Sequence, residues 1–451
     1  MARLNSKIFR TILFWGSLFL ISGAIGLWFR TYPLRIYVSD QSYNTASVLV
    51  MNRLIQTFEK NIRLQSKGMD NESVRTLAVR QANEQIAKDS AQARSTIITL
   101  ARQIDAESPH AQKIPFLLGS DPFLYYDLTE NIAETGRMAE VRRGSKYLNQ
   151  KMNYPVGHWE PFTLHPYVGY AIDRCLALFT HDTDLMYSIS WTPIVLSGLS
   201  LIVFLMVCGR LSLSYWATLT GAVFFMTAPI FIRRSMFGWY DNDPFNVLFP
   251  LILLYILVHW LTMKRPRPLQ TTLAFGVFLC LYSLFWQGWM YMAVIITACM
   301  ALAVLAEFVM KDANFKKTLS VLIGMPAVAL LAISLIFGPQ EFFRLFQEGW
   351  TALNDFMTTQ KIPLWPDLYI AVGELKRQTP FEVMDDAGGI LPVGLALWGA
   401  ISGLMVAFKE KEFKTFYAIM AISLLALVSV ALSMLALRFI LLSVTPLAIL
   451  S

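Results

Sequence analysis

Residues 231–246 of this sequence carry charged side chains that could do chemistry in an otherwise strongly apolar region. Arg233 and Arg234 come first, and Asp241 and Asp243 follow with one residue between them. Two carboxylates at this spacing can share a hard divalent cation, which prefers oxygen ligands. A nearby arginine can hold a phosphate through two parallel hydrogen bonds. The pattern therefore indicates a membrane enzyme whose substrate carries a pyrophosphate.

The same residues also allow a structural interpretation. Asp243 followed by Pro244 is typical of a helix start, with an N-cap and then a proline at the first helical position. The two arginines could simply end the preceding membrane span at the level of the lipid head groups. Further features of the chain are needed to decide between these interpretations.

Composition places the chain among multi-pass membrane proteins. It has 451 residues, of which 55% are hydrophobic and only 15% are charged. We expect an all-α protein with about nine to eleven transmembrane helices, because each span needs about 20 apolar residues. The net charge of +7 lies mostly in short basic loops, so it predicts membrane topology and no nucleic-acid partner. The first apolar run, about residues 12–29, has no clear cleavage site after it and is read as a retained anchor.

Two polar segments are much longer than ordinary loops: residues 31–184 and residues 338–389. In the first, apolar residues at helical spacing predict a helical hairpin over about residues 45–106. If the amino terminus is cytoplasmic, the short basic loops also face inward, as the positive-inside rule requires. Both long segments then lie outside the cytoplasm. Arg233 and Arg234 lie there too, against the rule, which suggests an anionic partner.

The predicted topology also brings acidic residues from separate loops to one face of the membrane. These residues are Asp121, Asp241, Asp243 and Glu374. Carboxylates gathered without a cation would repel one another, whereas a bound Mg²⁺ or Mn²⁺ would relieve that repulsion and supply Lewis acidity. Glu374 taken alone would be an ordinary surface helix charge beside Lys376 and Arg377. Arg438 taken alone would be an arginine whose head group reaches the membrane interface.

Taken in order, these segments resemble the catalytic subunit of oligosaccharyltransferase in its single-subunit prokaryotic form. The resemblance rests on four stretches and one preceding arginine: Asp121-Pro122-Phe123-Leu124-Tyr125-Tyr126, Gly238-Trp239-Tyr240-Asp241-Asn242-Asp243 preceded by Arg234, Ala371-Val372-Gly373-Glu374, and Arg438-Phe439. Asp127 stands where the family usually has arginine. The tryptophan-rich motif with which the family reads its acceptor is not found. Either the sequence is a fragment, or the recognition domain is elsewhere. We expect a fragment that ends before a soluble C-terminal recognition domain, because the last apolar run stops at Ser451 and is too short to cross the membrane.

The resemblance implies a GT-C-like transmembrane bundle in a bacterial or archaeal cell membrane. It implies transfer of an oligosaccharide from a polyprenyl (pyro)phosphate to asparagine in Asn-X-Ser/Thr, on the extracytoplasmic face. In that scheme Asp121 and Glu374 are catalytic and contact the acceptor amide. Arg234, Arg438 and Tyr240 bind substrate, and Asp121, Asp241 and Asp243 bind Mn²⁺ or Mg²⁺. The partners would be the lipid-linked donor, an acceptor polypeptide and the bilayer.

Two other functions are compatible with parts of the sequence. A related transferase that moves one sugar from a polyprenyl phosphate would also use acidic residues of the first loop. It would not need Glu374 or the spacing between Arg234 and Asp241. A transporter would place charged residues inside the spans and show inverted-repeat symmetry. The spans here have almost no charge at their centres, and no repeat is seen.

Overall fold

The computed structural model describes most of the chain. The described residues are 2–36, 40–66, 68–107, 117–143, 146–150, 156–179, 184–263, 265–311, 314–340, 343–344, 347, 351, 378–410 and 412–451. The chain divides into two compact units. One unit contains residues 1–30 and 117–451, and the other contains residues 31–116.

The smaller unit is helical. Its helices are α2 (Tyr32–Ile36), α3 (Asp40–Gln65), α4 (Asn71–Lys88) and α5 (Ser90–Glu107). Asp70 caps α4, because its carboxylate accepts hydrogen bonds from the backbone N–H groups of Glu72 and Ser73. Helix α3 packs against both α4 and α5. The segment for which the sequence indicates a hairpin thus contains three helices, since Asp89 leaves helical geometry and divides the second arm.

The larger unit contains the membrane-spanning helices. Seven described helical segments are long and apolar enough to cross a bilayer: Thr11–Arg30, Leu185–Arg210, Phe245–Thr262, Met290–Val309, Phe315–Phe337, Ile390–Lys409 and Phe413–Leu435. They belong to α1 (Ala2–Arg30), α8 (Leu185–Ile189) with α9 (Thr192–Arg210), α12 (Phe245–Thr262), α14 (Met290–Val309), α15 (Phe315–Phe337), α17 (Ile390–Lys409) and α18 (Phe413–Leu435). The protein is therefore an all-α multi-pass membrane protein, as its composition predicts.

Shorter apolar helices occupy the remaining positions at which the sequence indicates apolar runs. They are α10 (Tyr215–Thr227) with α11 (Pro229–Arg233), α13 (Pro268–Ser283) and α19 (Ile440–Leu450). The apolar run of residues 215–232, for which the sequence predicts a single third span, is divided at Ala228, because Pro229 cannot continue the helical hydrogen bonding of α10. Helix α19 is almost completely buried and packs against α10, α12, α17 and α18.

The segment between the smaller unit and α8 contains both helices and strands. It contains α6 (Ser120–Thr135), the strands β1 (Arg142–Arg143), β2 (Lys146–Asn149) and β3 (His158–Pro161), and α7 (His165–Ala177). The strands form an antiparallel sheet in the order β1-β2-β3. Tyr147 of β2 is buried against Leu128 and Ile132 of α6, so the sheet and this helix share one small core. Later in the chain, Thr379 is the N-cap of helix α16 (Pro380–Ala387) and forms a capping box with Glu382 in its first turn.

Candidate active site

The acidic residues lie in a turn between α11 and α12. Helix α11 ends at Arg233, and the backbone then turns through Gly238, whose φ of 88° suits glycine because other residues rarely adopt this conformation. Helix α12 begins at Phe245, directly after Pro244. The N–H of Gly238 donates to the carbonyl of Ser190, and its carbonyl accepts from Leu118. The turn is thus fixed by hydrogen bonds to the segments that begin α6 and α9.

Arg234 and Asp243 form an ion pair at the centre of the turn. Their Nη1 and Oδ2 atoms are 3.1 Å apart, and the side chains are only 14% and 19% exposed. The indole Nε1 of Trp239 donates to the same Oδ2 atom at 3.2 Å. The guanidinium carbon of Arg234 also lies 4.9 Å from the centre of the Trp239 ring. The Asp243 carboxylate therefore orients the arginine rather than capping α12.

Asp241 lies deeper than Asp243, with 8% of its surface exposed. Its Oδ1 atom accepts from the backbone N–H of Asn242 at 2.6 Å. The side-chain amide of Asn242 in turn donates to the hydroxyl of Tyr125 on α6 at 2.9 Å. This contact connects the turn that carries the acid pair to the helix that carries Asp121.

Tyr240 makes a second connection to α6 and α7. Its side chain is fully buried, and its hydroxyl is 2.8 Å from that of Thr129 and 3.5 Å from the carbonyl oxygen of His165. Burial raises the pKa of this phenol, which is therefore neutral at physiological pH. A Cβ atom at Gly169 would lie 1.9 Å from the hydroxyl, so only glycine leaves room for this ring. In this structure Tyr240 positions the turn, and no part of its side chain is exposed to a substrate.

The Tyr125 phenol lies within electrostatic reach of all three acids predicted to bind metal. Burial raises its pKa most, and the carboxylates of Asp241, Asp121 and Asp243 raise it further. Asp121 lies in the first turn of α6 and is exposed, and the positive end of the helix dipole favours a carboxylate there. The fold therefore brings the two acidic segments together, although about 120 residues separate them in the sequence.

Two functional candidates lie beyond what the structure describes. Glu374 falls outside the described residues, and so does the stretch from residue 371 that resembles its family motif. Arg438 belongs to the short 3-10 helix Leu437–Phe439, but its side chain is outside the described part of the chain. Their roles stay predictions.

Among the described residues, no three His, Cys, Asp or Glu side chains form a group that could hold a metal ion. The three carboxylates around Tyr125 nevertheless supply the hard oxygen ligands that Mg²⁺ and Mn²⁺ prefer. The chemistry of these carboxylates fits such a cation. Among the described residues, however, the carboxylates are not close enough together to coordinate one ion directly.

Two buried residues at the site are not singled out by the sequence. Arg30, at the end of α1, is fully buried and donates from Nε to the hydroxyl of Ser235 and from Nη1 to the carbonyl of Met226, both at 2.8 Å. Its own carbonyl accepts from the N–H of Phe237 at 2.8 Å. In the sequence Arg30 looks like an ordinary span end, because nothing there indicates burial.

His165 is the second buried residue. Its ring lies 4.5 Å from that of Tyr125 and 4.3 Å from that of Tyr240. Complete burial lowers its pKa to about 3, so the imidazole is neutral at physiological pH. Neither ring nitrogen has a hydrogen-bond partner among the described residues. The ring therefore acts as an aromatic spacer between α6 and the turn.

Arg233 points away from the acid pair. It forms an ion pair with Asp386 of α16, which also accepts a hydrogen bond from Gln378 at 3.0 Å. The two adjacent arginines thus have different partners. One pairs within the turn, and the other joins α11 to α16, a helix at the end of the second long polar segment.

The fold is similar to that of a membrane enzyme whose structure has been solved from an archaeon. The chain is similar to the Archaeoglobus fulgidus oligosaccharyltransferase AglB in complex with an inhibitory peptide and a dolichol-phosphate, with a TM-score of 0.51 and 16% identity over 75% of this chain and 46% of that one. The same enzyme in complex with Zn and sulfate matches with a TM-score of 0.51 and 19% identity over 75% and 45% of the two chains. The form tethered to an acceptor peptide containing the NVT sequon matches with a TM-score of 0.50 and 18% identity, over 75% of this chain and 45% of that one.

The sequence model described as "Oligosaccharyl transferase STT3, N-terminal" matches residues 110–451. The chain therefore belongs to the STT3 oligosaccharyltransferase family, as its motifs suggest. A search of curated protein sequences finds no match. The chain spans less than half of the length of the archaeal enzyme.

Proposed function

We propose that the protein transfers an oligosaccharide from a polyprenyl pyrophosphate or phosphate carrier to the asparagine of Asn-X-Ser/Thr sequons. The observation that carries this proposal is the arrangement of Arg234, Asp243 and Trp239 beside the acids around Tyr125, in a chain of the STT3 family. A guanidinium held on a carboxylate and an indole is oriented before substrate binds. Such preorganisation favours stabilisation of a charged leaving group.

The proposed roles follow from charge and position. Arg234, with Arg438, would bind the phosphate groups of the donor and stabilise the charge that develops as the carrier leaves. Asp121 and Glu374 would accept hydrogen bonds from the acceptor amide and increase the nucleophilicity of its nitrogen. Asp121 suits this role because it is exposed at the start of α6, whereas Tyr240 is buried.

We also propose a divalent cation, Mg²⁺ or Mn²⁺, held by Asp121, Asp241 and Asp243. The cation would supply Lewis acidity and reduce repulsion among these carboxylates. The hydrogen bonds between Asn242 and Tyr125 and between Tyr240 and Thr129 support this proposal, because they hold the turn against α6 from two sides. The zinc ion in the archaeal relative is consistent with a divalent cation in this fold.

The proposed partners are a lipid-linked oligosaccharide, an acceptor polypeptide and the lipid bilayer, with the reaction on the extracytoplasmic face of a bacterial or archaeal membrane. The archaeal relative was solved with an inhibitory peptide and a dolichol-phosphate, and in another structure with a tethered acceptor peptide. These ligands match the phosphate-binding and amide-binding roles proposed here for Arg234 and Asp121.

Donor kinetics test the proposal. In native membranes, Arg234→Ala should raise the KM for lipid-linked oligosaccharide by about tenfold or more, because a hydrogen bond to a charged group contributes roughly 1.5–3 kcal/mol. Arg234→Lys should recover only part of this loss, since lysine cannot form the two parallel hydrogen bonds. Arg137→Ala, which removes an exposed arginine after α6, serves as the control and should leave the KM unchanged.

The same assay distinguishes the proposed function from that of a transferase that moves one sugar from a polyprenyl phosphate. Wild-type protein should glycosylate a sequon peptide with the oligosaccharide donor. Activity with a polyprenyl-phosphate monosaccharide alone, and none with the oligosaccharide donor, would contradict the proposal. An equal loss of donor and acceptor binding in Arg234→Ala would show that the arginine is structural.

A further inference from the structure

A groove with a volume of about 730 Å³ opens between α1 and α9. Its walls are apolar and include Trp15, Phe19, Leu205 and Met206. Phe19 and Met206 are 37% and 43% exposed, so the groove opens at the side of the bundle. Both helices have the length and composition of membrane spans. In a bilayer the groove therefore faces acyl chains, because the span surface is surrounded by hydrocarbon.

One end of the groove is polar. Arg210, the last residue of α9, lines it and is exposed, and its side chain forms no hydrogen bond or ion pair with other described residues. His259 of α12 lies close enough to interact electrostatically with Arg210 and stacks on Tyr255, which also lines the groove. The guanidinium of Arg210 at the end of an apolar groove suits a phosphate attached to an acyl chain, because it can donate charge-assisted hydrogen bonds to phosphate oxygens.

This polar end is remote from the acidic turn. Helix α9 has 19 residues, which at about 1.5 Å per residue separates its ends by roughly 27 Å. Ser190, just before α9, accepts the hydrogen bond from Gly238 in the turn, whereas Arg210 is at the other end. The positive-inside rule places Arg210 on the cytoplasmic side, where anionic lipids attract basic side chains.

We propose that this groove binds one anionic glycerophospholipid. Its phosphate lies at Arg210, and one of its acyl chains lies between α1 and α9. The site is separate from the one proposed for the lipid-linked donor, and its ligand comes from the opposite leaflet. The proposal does not depend on the transferase activity.

Gly16 provides a way to block the groove without disturbing the helices. It lines the groove, and a Cβ atom added there would meet no heavy atom within 4 Å. Gly16→Leu should therefore fill the space taken by the acyl chain. Gly198 of α9 has equally open surroundings but does not line the groove, so Gly198→Leu is the matched control.

Lipid retention tests the proposal. The full chain is equilibrated in detergent micelles with equal amounts of phosphatidylglycerol and phosphatidylcholine, and bound lipid is counted by native mass spectrometry. Wild-type protein should retain one phosphatidylglycerol. Arg210→Gln and Gly16→Leu should reduce retention at least about fivefold, which corresponds to about 1 kcal/mol of binding free energy. Arg265→Gln, a basic-loop control, and Gly198→Leu should retain the wild-type amount.

Three results would overturn the proposal: equal retention of phosphatidylcholine, an equal loss in Arg265→Gln, or displacement of phosphatidylglycerol by an equimolar polyprenyl phosphate. Thermal unfolding in detergent shows whether each variant is folded. If Gly16→Leu is not folded, phosphatidylglycerol with brominated acyl chains gives a second measurement on wild-type protein. It should quench a fluorescence component that Trp15→Phe removes, and quenching unchanged by Trp15→Phe would also reject the proposal.

Discussion

At the scale of single residues, the acidic turn depends on the fit of one tyrosine against one glycine. Gly169→Ala should destabilise the protein by roughly 1–3 kcal/mol, because its Cβ would overlap the Tyr240 hydroxyl. Thermal unfolding in detergent measures the effect, with Gly198→Ala as a helix control in open surroundings. Tyr240→Phe in the Gly169→Ala background should restore part of the stability, since it removes the closest overlapping atom. Additive losses in the double variant would show that the two residues do not interact.

Residue identity alone predicts some of the site but not its orientation. The types and spacing of Arg234, Asp241 and Asp243 indicate binding of a phosphate and a cation. The sequence cannot show that Tyr240 turns inward, because a tyrosine beside an acid pair suits an interior contact and a substrate contact equally well. Arg30 is similar, since its burial depends on partners about 200 residues away.

At the scale of elements, the ion pair between Arg233 and Asp386 joins α11 to α16. Their side chains are 55% and 20% exposed, so we expect a coupling free energy below about 1 kcal/mol that decreases at high salt. A double-mutant cycle with Arg233→Gln and Asp386→Asn measures it, and asparagine keeps an acceptor for Gln378. The exposed helical pair Arg80 and Glu84 provides a reference, which we expect to be weaker.

A coupling of several kcal/mol would mean that the Arg233–Asp386 pair is shielded from solvent in the membrane. No measurable coupling would mean that apolar packing alone holds α16 against α11. Either outcome would revise the view of this ion pair as a modest, salt-sensitive connection.

Element boundaries were predicted best where hydrophobicity alone decides them. The length of each apolar run is enough to predict the long spans from the sequence. The break at Ala228 was missed, although Pro229 marks it, because the apolar run continues across it. The division between α4 and α5 was missed because Asp89 alone marks it, without glycine or proline. The small sheet was missed because its strands have only two to four residues.

At the scale of the whole molecule, the family assignment and the distribution of basic residues predict one orientation in the membrane. The first long polar segment and the acidic turn should share the extracytoplasmic side, with Arg210 and the basic loops on the other. This arrangement places the proposed donor site and the proposed phospholipid site in opposite leaflets. One topological test therefore bears on both proposals.

Labelling of single cysteines in intact cells checks this orientation. The background needs Cys175→Ser, because Cys175 is exposed, whereas Cys208, Cys280 and Cys299 are buried. Cysteines at Ser90 and Phe381, both exposed, should react with an impermeant thiol reagent, because both should lie outside. Cysteines at Arg265 and Glu410 should react only after the cells are permeabilised, since the basic loops should lie inside. Labelling of Arg265→Cys in intact cells, or of only one outer position, would show that the number of spans between these sites has the wrong parity.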